Sequence, residues 1–232
     1  MTNPQYVSKF DMTATYDLES TIPTITIHPH FDAKYYHDAK KLSFSEKDGF
    51  GEPNAVAAFV SNCKNAGATA RLEQMEELAR HMPLHSYGRC LKNKEEPKLS
   101  DERNMNKRLV LQRYKFYLSF ENNQIKDYVT EKVFDGLLAG TLPIYWGAES
   151  IDQFLPSLTQ PSILKMNQFD DIPKLTSFLT ELSTNEAKYE EYFAWKDSPP
   201  EDRFNGIIDM SAYKYSSMCR ICEAVHNSAQ QQ

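Results

Sequence analysis

Residues 114–147 read YKFYLSFENNQIKDYVTEKVFDGLLAGTLPIYWG, two apolar strands on either side of a capped helix. Phe116, Leu118 and Phe120 alternate with Tyr117 and Ser119, and Leu142, Ile144 and Tyr145 follow a break at Gly140-Thr141. Both runs have strand periodicity, and strand, helix, strand in this order is the βαβ unit of a parallel sheet. Thr130 stands at the N-cap position. Val133, Phe134, Leu137 and Leu138 share one helical face, and Gly140 lies where helices end in a left-handed residue. The stretch therefore predicts an α/β fold with a parallel sheet.

That placement puts Glu131 and Lys132 in the first turn of the helix. A helix start offers unpaired N–H groups and partial positive charge, and a lysine beside it suits a diphosphate. Asn122 and Tyr128 fall at the strand end and in the following loop, where open α/β sheets bind ligands. Periodicity alone is equally well met by an ordinary solvated helix start. Residues 55–90 repeat the pattern of strand, loop, helix, strand. Leu72, Met75, Leu78, Ala79 and Met82 recur at helical spacing, and Thr69 as a cap would place Arg71 at the helix start, mirroring Lys132. The helix dipole disfavours a cation there unless an anion is present, and a guanidinium fork fits phosphate oxygens. Downstream, 163–166 reads as a strand and 172–182 and 186–195 as helices, with Tyr189, Tyr192, Phe193 and Trp195 closing the core.

With 232 residues, 41% apolar and 25% charged, the chain can bury one sizeable core. A net charge of −6 and the lack of a Lys/Arg cluster argue against nucleic-acid binding, but a local basic pair can still hold a diphosphate. No apolar stretch approaches the roughly 18 residues of a membrane span, and MTNPQYVSKF lacks the apolar core of a signal peptide. Four cysteines fall as Cys63 with Cys90 and Cys219 with Cys222. A Cys63–Cys90 bridge between neighbouring strand ends competes with two zinc half-sites, although one C-x-x-C without a second is weak support for zinc. His28 and His30 read as an exposed loop pair. The absence of Asp-x-Asp fits a design in which basic side chains, not a chelated metal, offset phosphate charge.

The order of residues in 116–147 closely resembles the donor-binding motif of the α1,3/4-fucosyltransferases, approximately FxLxFENxxxxDYxTEKxxxxLxxGxxPxxxG. It appears here as Phe116, Leu118, Phe120-Glu121-Asn122, Asp127-Tyr128, Thr130-Glu131-Lys132, Leu137, Gly140, Pro143 and Gly147. FVSNC and YGRC in 59–90, and the tail around Ile208-Asp209-Met210, resemble the plant-type core α1,3-fucosyltransferases. The resemblance implies a Rossmann-like parallel sheet forming the C-terminal donor domain of a GT-B two-domain glycosyltransferase. Residues 1–53 would be a remnant of the acceptor domain and the interdomain connection, 54–200 the GDP-fucose-binding domain, and 201–232 a tail with Cys-x-x-Cys. Ser20-Thr21 stands where relatives carry Ser-Asp, a departure from the family pattern.

By the same resemblance, fucose passes from GDP-fucose, with inversion, to a GlcNAc of an N-glycan or glycoprotein acceptor. Arg71 and Lys132 neutralise the departing diphosphate, Glu131 meets sugar hydroxyls, and Asn122 and Tyr128 orient ribose or fucose. No cofactor is firmly implied; a loosely bound manganese activator is left open, with no ligands assigned. Family members are anchored in the Golgi membrane and face its lumen, where a Cys63–Cys90 bridge would form. Cys219 and Cys222 would be unpaired, mutually bridged, or paired with a segment not in this sequence. The general base is expected from the acceptor half, so the chain should bind GDP-fucose and transfer little; His28, His30 and Glu149 are the first positions to mutate if it transfers well. The rival readings are an inactive GDP-sugar-binding module and a Lewis-type enzyme acting on terminal lactosamine.

Overall fold

The structure, a computed structural model, describes residues 8–27, 32–64, 66–211 and 216–230. Two short parallel strands, β1 (Ala14–Thr15) and β2 (Ile22–Pro23), and helix α1 (Ala33–Asp38) precede the main sheet. The sheet is built from β3 (Val56–Ala58), β4 (Leu84–Ser86), β5 (Phe116–Phe120), β6 (Leu142–Trp146) and β7 (Leu164–Lys165), in the order β4-β3-β5-β6-β7 and parallel throughout. Helices α2 (Ala66–His81), α3 (Arg103–Gln112) and α4 (Glu131–Ala139) cross between successive strands, the 3-10 turn Glu149–Phe154 joins β6 to β7, and α5 (Ile172–Leu182) follows the last strand. The chain closes with α6 (Glu186–Glu190), α7 (Asp202–Asp209) and α8 (Ser217–Gln230). No helix among the described residues is long and apolar enough to cross a membrane.

Every residue of β5 is buried, as a central parallel strand covered on both faces requires. Phe116, Leu118 and Phe120 pack with Met75 and Leu78 of α2 and Leu175 and Leu179 of α5, whereas Tyr117 faces Val110 and Leu111 of α3. The β5-α4-β6 unit is the one the sequence predicts, registered Phe116 to Leu142 through Phe120 to Trp146. Gly140 ends α4 at φ +65, and a Cβ there would also lie 2.2 Å from that of Lys41. Ile25, Ile27 and Tyr36, in the stretch read as a connection, are buried in one apolar cluster with Val133 and Phe134 of α4 and Phe204 of α7.

Three expectations shift. Helix α2 starts at Ala66, so Thr69 is no cap and Arg71 sits in the second turn. The earlier start is possible because Gly67 lacks a side chain; a Cβ there would lie 1.9 Å from the Asn122 carbonyl oxygen. The strand expected at 163–166 shrinks to Leu164–Lys165 at the sheet edge, and the helix expected over 186–195 tightens after Glu190 into the 3-10 turn Glu191–Asp197. Tyr189, Phe193 and Trp195 nonetheless sit in the core as expected, with Tyr192 partly buried against it.

Candidate functional site

A cavity of about 630 Å³ opens at the carboxyl ends of β4, β3 and β5. Arg71, Asn122, Tyr128, Glu131 and Lys132 all line it. Five residues separated by up to 61 positions in sequence thus converge because three neighbouring parallel strands end at one level.

Arg71 reaches the cavity from α2 and is only 2% exposed. Its guanidinium donates to the Phe120 carbonyl at 3.2 Å and the Asn62 carbonyl at 2.6 Å, which fixes the fork between the ends of β5 and β3. Among the described residues its Nε has no hydrogen-bond partner. Burial pulls the Arg71 pKa down, opposed chiefly by the nearby Glu121 carboxylate.

Glu121, directly after β5, is wholly buried. It accepts the Thr130 N–H at 2.8 Å, the Thr130 hydroxyl at 2.8 and 2.9 Å, and the Lys132 ammonium at 3.0 Å. Thr130 holds the N-cap backbone position of α4, but its hydroxyl turns to Glu121 instead of capping a helix N–H. Lys132 also donates to the Thr130 hydroxyl at 2.6 Å and lies 3.5 Å from Glu131. Burial opposes the Lys132 charge, yet Glu121 and Glu131 outweigh it and raise its pKa.

The Tyr128 hydroxyl donates to the Asn122 side chain at 2.8 Å, so the strand end and the loop hold each other. Asp127 takes a left-handed φ of 62 and accepts the Leu18 N–H at 3.1 Å, while Tyr16 meets the Tyr128 ring edge-on at 5.2 Å. The disulfide joins Cys63 to Cys90, tying together the loops that leave β3 and β4. Cys219 and Cys222 are exposed free thiols on α8. Among the described residues no three His, Cys, Asp or Glu side chains group to hold a metal ion. His28 and His30 lie outside the described residues. Glu149 is exposed at the start of the turn Glu149–Phe154 and does not line the cavity.

The sequence reading assigned no role to Glu121, Lys107 or Glu96. Lys107 lines the cavity from α3 and pairs with Asp135 of α4 at 2.5 Å. Burial opposes its charge, but Asp135 holds its pKa well above the ordinary lysine range. The available signal was the four-residue spacing of Arg103 and Lys107, which sets both on one face of a helix.

Residues 51–232 match the family model described as glycosyltransferase family 10 (fucosyltransferase), C-terminal. The chain belongs to this family. Family 10 relatives include a fucosyltransferase-like protein of Arabidopsis thaliana, 32% identical over 92% of this chain and 37% of that protein. Glycoprotein 3-alpha-L-fucosyltransferase A of Drosophila melanogaster is 31% identical over 98% of this chain and 42% of its own length. GDP-fucose protein O-fucosyltransferase 3 of Danio rerio is 29% identical over 97% of this chain and 52% of its own length. The chain spans about half, or less, of the length of these curated relatives. In fold it resembles the crystal structure of an α1,3-fucosyltransferase with GDP-fucose, at a TM-score of 0.52 and 19% identity over 81% of this chain and 66% of that one. The family 10 fold here is the Rossmann-like α/β arrangement of a GT-B C-terminal domain.

Proposed function

We propose that this chain forms the donor side of an enzyme that moves fucose from GDP-fucose to an acceptor hydroxyl. The observation that carries the reading is the convergence of Arg71, Lys132, Glu131, Asn122 and Tyr128 on one cavity of nucleotide size at the carboxyl ends of the sheet. In the reaction, the acceptor oxygen bonds to C1 of fucose from the face opposite the nucleotide. The bond from C1 to the diphosphate oxygen breaks, and GDP leaves with the electron pair. Arg71 and Lys132 offset the charge that develops on the leaving diphosphate. Glu131 accepts from sugar hydroxyls and stabilises the electron-poor C1, and the Asn122–Tyr128 pair orients ribose or fucose. The acceptor proton goes to a base outside this set.

The acceptor we favour is a GlcNAc of an N-glycan, with an α1,3 linkage, in the Golgi lumen. Support comes from the identity to a glycoprotein 3-alpha-L-fucosyltransferase and from the Cys63–Cys90 disulfide, which suits an oxidising compartment. A second reading, transfer to a peptide hydroxyl, is favoured by the relatives named protein O-fucosyltransferase 3. The test is GDP-fucose turnover on a panel: a GlcNAc-cored glycopeptide, terminal lactosamine and an unglycosylated folded Ser/Thr domain. Deoxyhexose added to the first alone supports the favoured acceptor. Addition only to the third selects the peptide reading, and failure of the chain to bind GDP-fucose at all would contradict its role as the donor side.

A further inference from the structure

The cavity has a second wall beyond its diphosphate end. Phe59, just after β3, and Tyr87, just after β4, stack with ring centroids 5.0 Å apart at 27°, and both line the cavity with Glu96. The Tyr87 hydroxyl is turned inward. It bonds to the Tyr114 hydroxyl, which lies 2.8 Å from His85 Nδ1, and His85 Nε2 lies 3.1 Å from Glu52 Oε1. This chain, buried as far as His85, locks the ring, so Tyr87 offers the cavity its aromatic carbons. Glu96 is tied as well. Asn106, 8% exposed, donates to Glu96 Oε1 at 2.6 Å and to the Pro97 carbonyl at 3.0 Å, and accepts the N–H groups of Leu99 and Ser100. Glu96 and Tyr87 line the same cavity, and the Glu96 charge adds to the rise in the Tyr87 pKa that burial causes.

An aromatic wall edged by a fixed carboxylate is a recognition surface for a planar base that carries adjacent N–H donors. We propose that this wall is the base subsite and that Glu96 selects guanine. Guanine presents its N1–H and N2 amino group side by side, and a carboxylate has lone pairs for both after its bond to Asn106. Adenine places an acceptor nitrogen at the same edge and meets the carboxylate with repulsion. The span also fits. β4 lies two strands from β5 in the sheet, about 10 Å at roughly 4.8 Å per strand, so a nucleoside laid across the strand ends runs from the Arg71–Lys132 end to this wall. The inference rests on the GDP-fucose reading of the cavity and adds the residue that sets base specificity.

The experiment is titration calorimetry with GDP, IDP, ADP and inorganic pyrophosphate on the wild-type chain and on Glu96→Gln. IDP keeps N1–H and lacks the N2 amino group. Hydrogen bonds to a charged group support an expected drop in GDP affinity of about 10- to 100-fold in Glu96→Gln. The preference for GDP over IDP should collapse and pyrophosphate affinity should stay at the wild-type value, which also shows that the variant folds. GDP binding with an unchanged GDP-to-IDP preference in Glu96→Gln would overturn the role of Glu96 alone. Failure of the wild type to bind either GDP or pyrophosphate would overturn the cavity reading itself, and the inference with it.

Discussion

Glu121 and Lys132 form an ion pair of 3.0 Å, and the Thr130 hydroxyl bridges it, donating to the carboxylate and accepting from the ammonium. Glu121 is fully buried and the Lys132 side chain is 14% exposed, so the pair sits behind the cavity wall with only the lysine reaching it. Lys132 therefore arrives at the site already oriented and balanced by a carboxylate. Arg71, whose bonded nitrogens meet carbonyl oxygens, brings its positive charge to the site without such a direct partner.

Removing one member of a buried pair strands the other, at a cost of about 3–5 kcal/mol. Glu121→Gln should lose stability of that order in urea unfolding, because the amide keeps one acceptor oxygen but no charge and turns an NH2 donor toward either the Thr130 N–H or the Lys132 ammonium. A variant with the wild-type midpoint would show that the pair holds nothing together.

The Cys63–Cys90 bridge spans a sequence separation of 27. Loop-closure entropy for about 28 residues predicts a loss of about 3–4 kcal/mol in Cys63→Ala/Cys90→Ala, measured as a lower urea midpoint. The bridged loops carry Asn62 and Tyr87, so GDP affinity should fall in parallel. An unfolding midpoint that does not move when the bridge is removed would contradict this.

Lys47 is fully buried and donates to the Gln112 carbonyl at 3.1 Å, at the C-terminal end of the sheet's crossing helix α3. Burial, reinforced by Lys41, lowers its pKa to about 7. The unfolded lysine keeps its proton to about 10.4. Between those values the unfolded state binds more protons, so this group makes stability rise with pH, by at most about 1.4 kcal/mol per unit. Below about 7 its penalty is constant. Wild type minus Lys47→Met, from urea unfolding at intervals from pH 6 to 10, should thus be flat below pH 7 and then climb. A difference that falls with pH would refute the burial account.

The β5-α4-β6 unit was legible because local signals agreed: alternation in Phe116–Phe120, an apolar face on α4, and Gly140 at its left-handed end. Arg71 was legible as a candidate that the fold brings to the cavity but not in its place, since the start of α2 depends on Gly67 packing against the Asn122 carbonyl, a contact 55 residues away in sequence. Glu121 looked like a loop carboxylate beside a strand. Its burial follows only when Thr130 and Lys132 fold back onto it. Lys107 lies in a polar helix whose partner, Asp135, is on another helix, and no periodicity within either segment announces that pairing.

The central claim is that Arg71 and Lys132 face a nucleotide diphosphate, and calorimetry of GDP binding to the folded wild-type, Arg71→Ala and Lys132→Ala chains tests it most directly. Removing either cation's charge-assisted hydrogen bonding to the diphosphate should cost about 2 kcal/mol, near 30-fold in affinity. Wild-type GDP affinity in both variants, with their fold intact, would contradict the account.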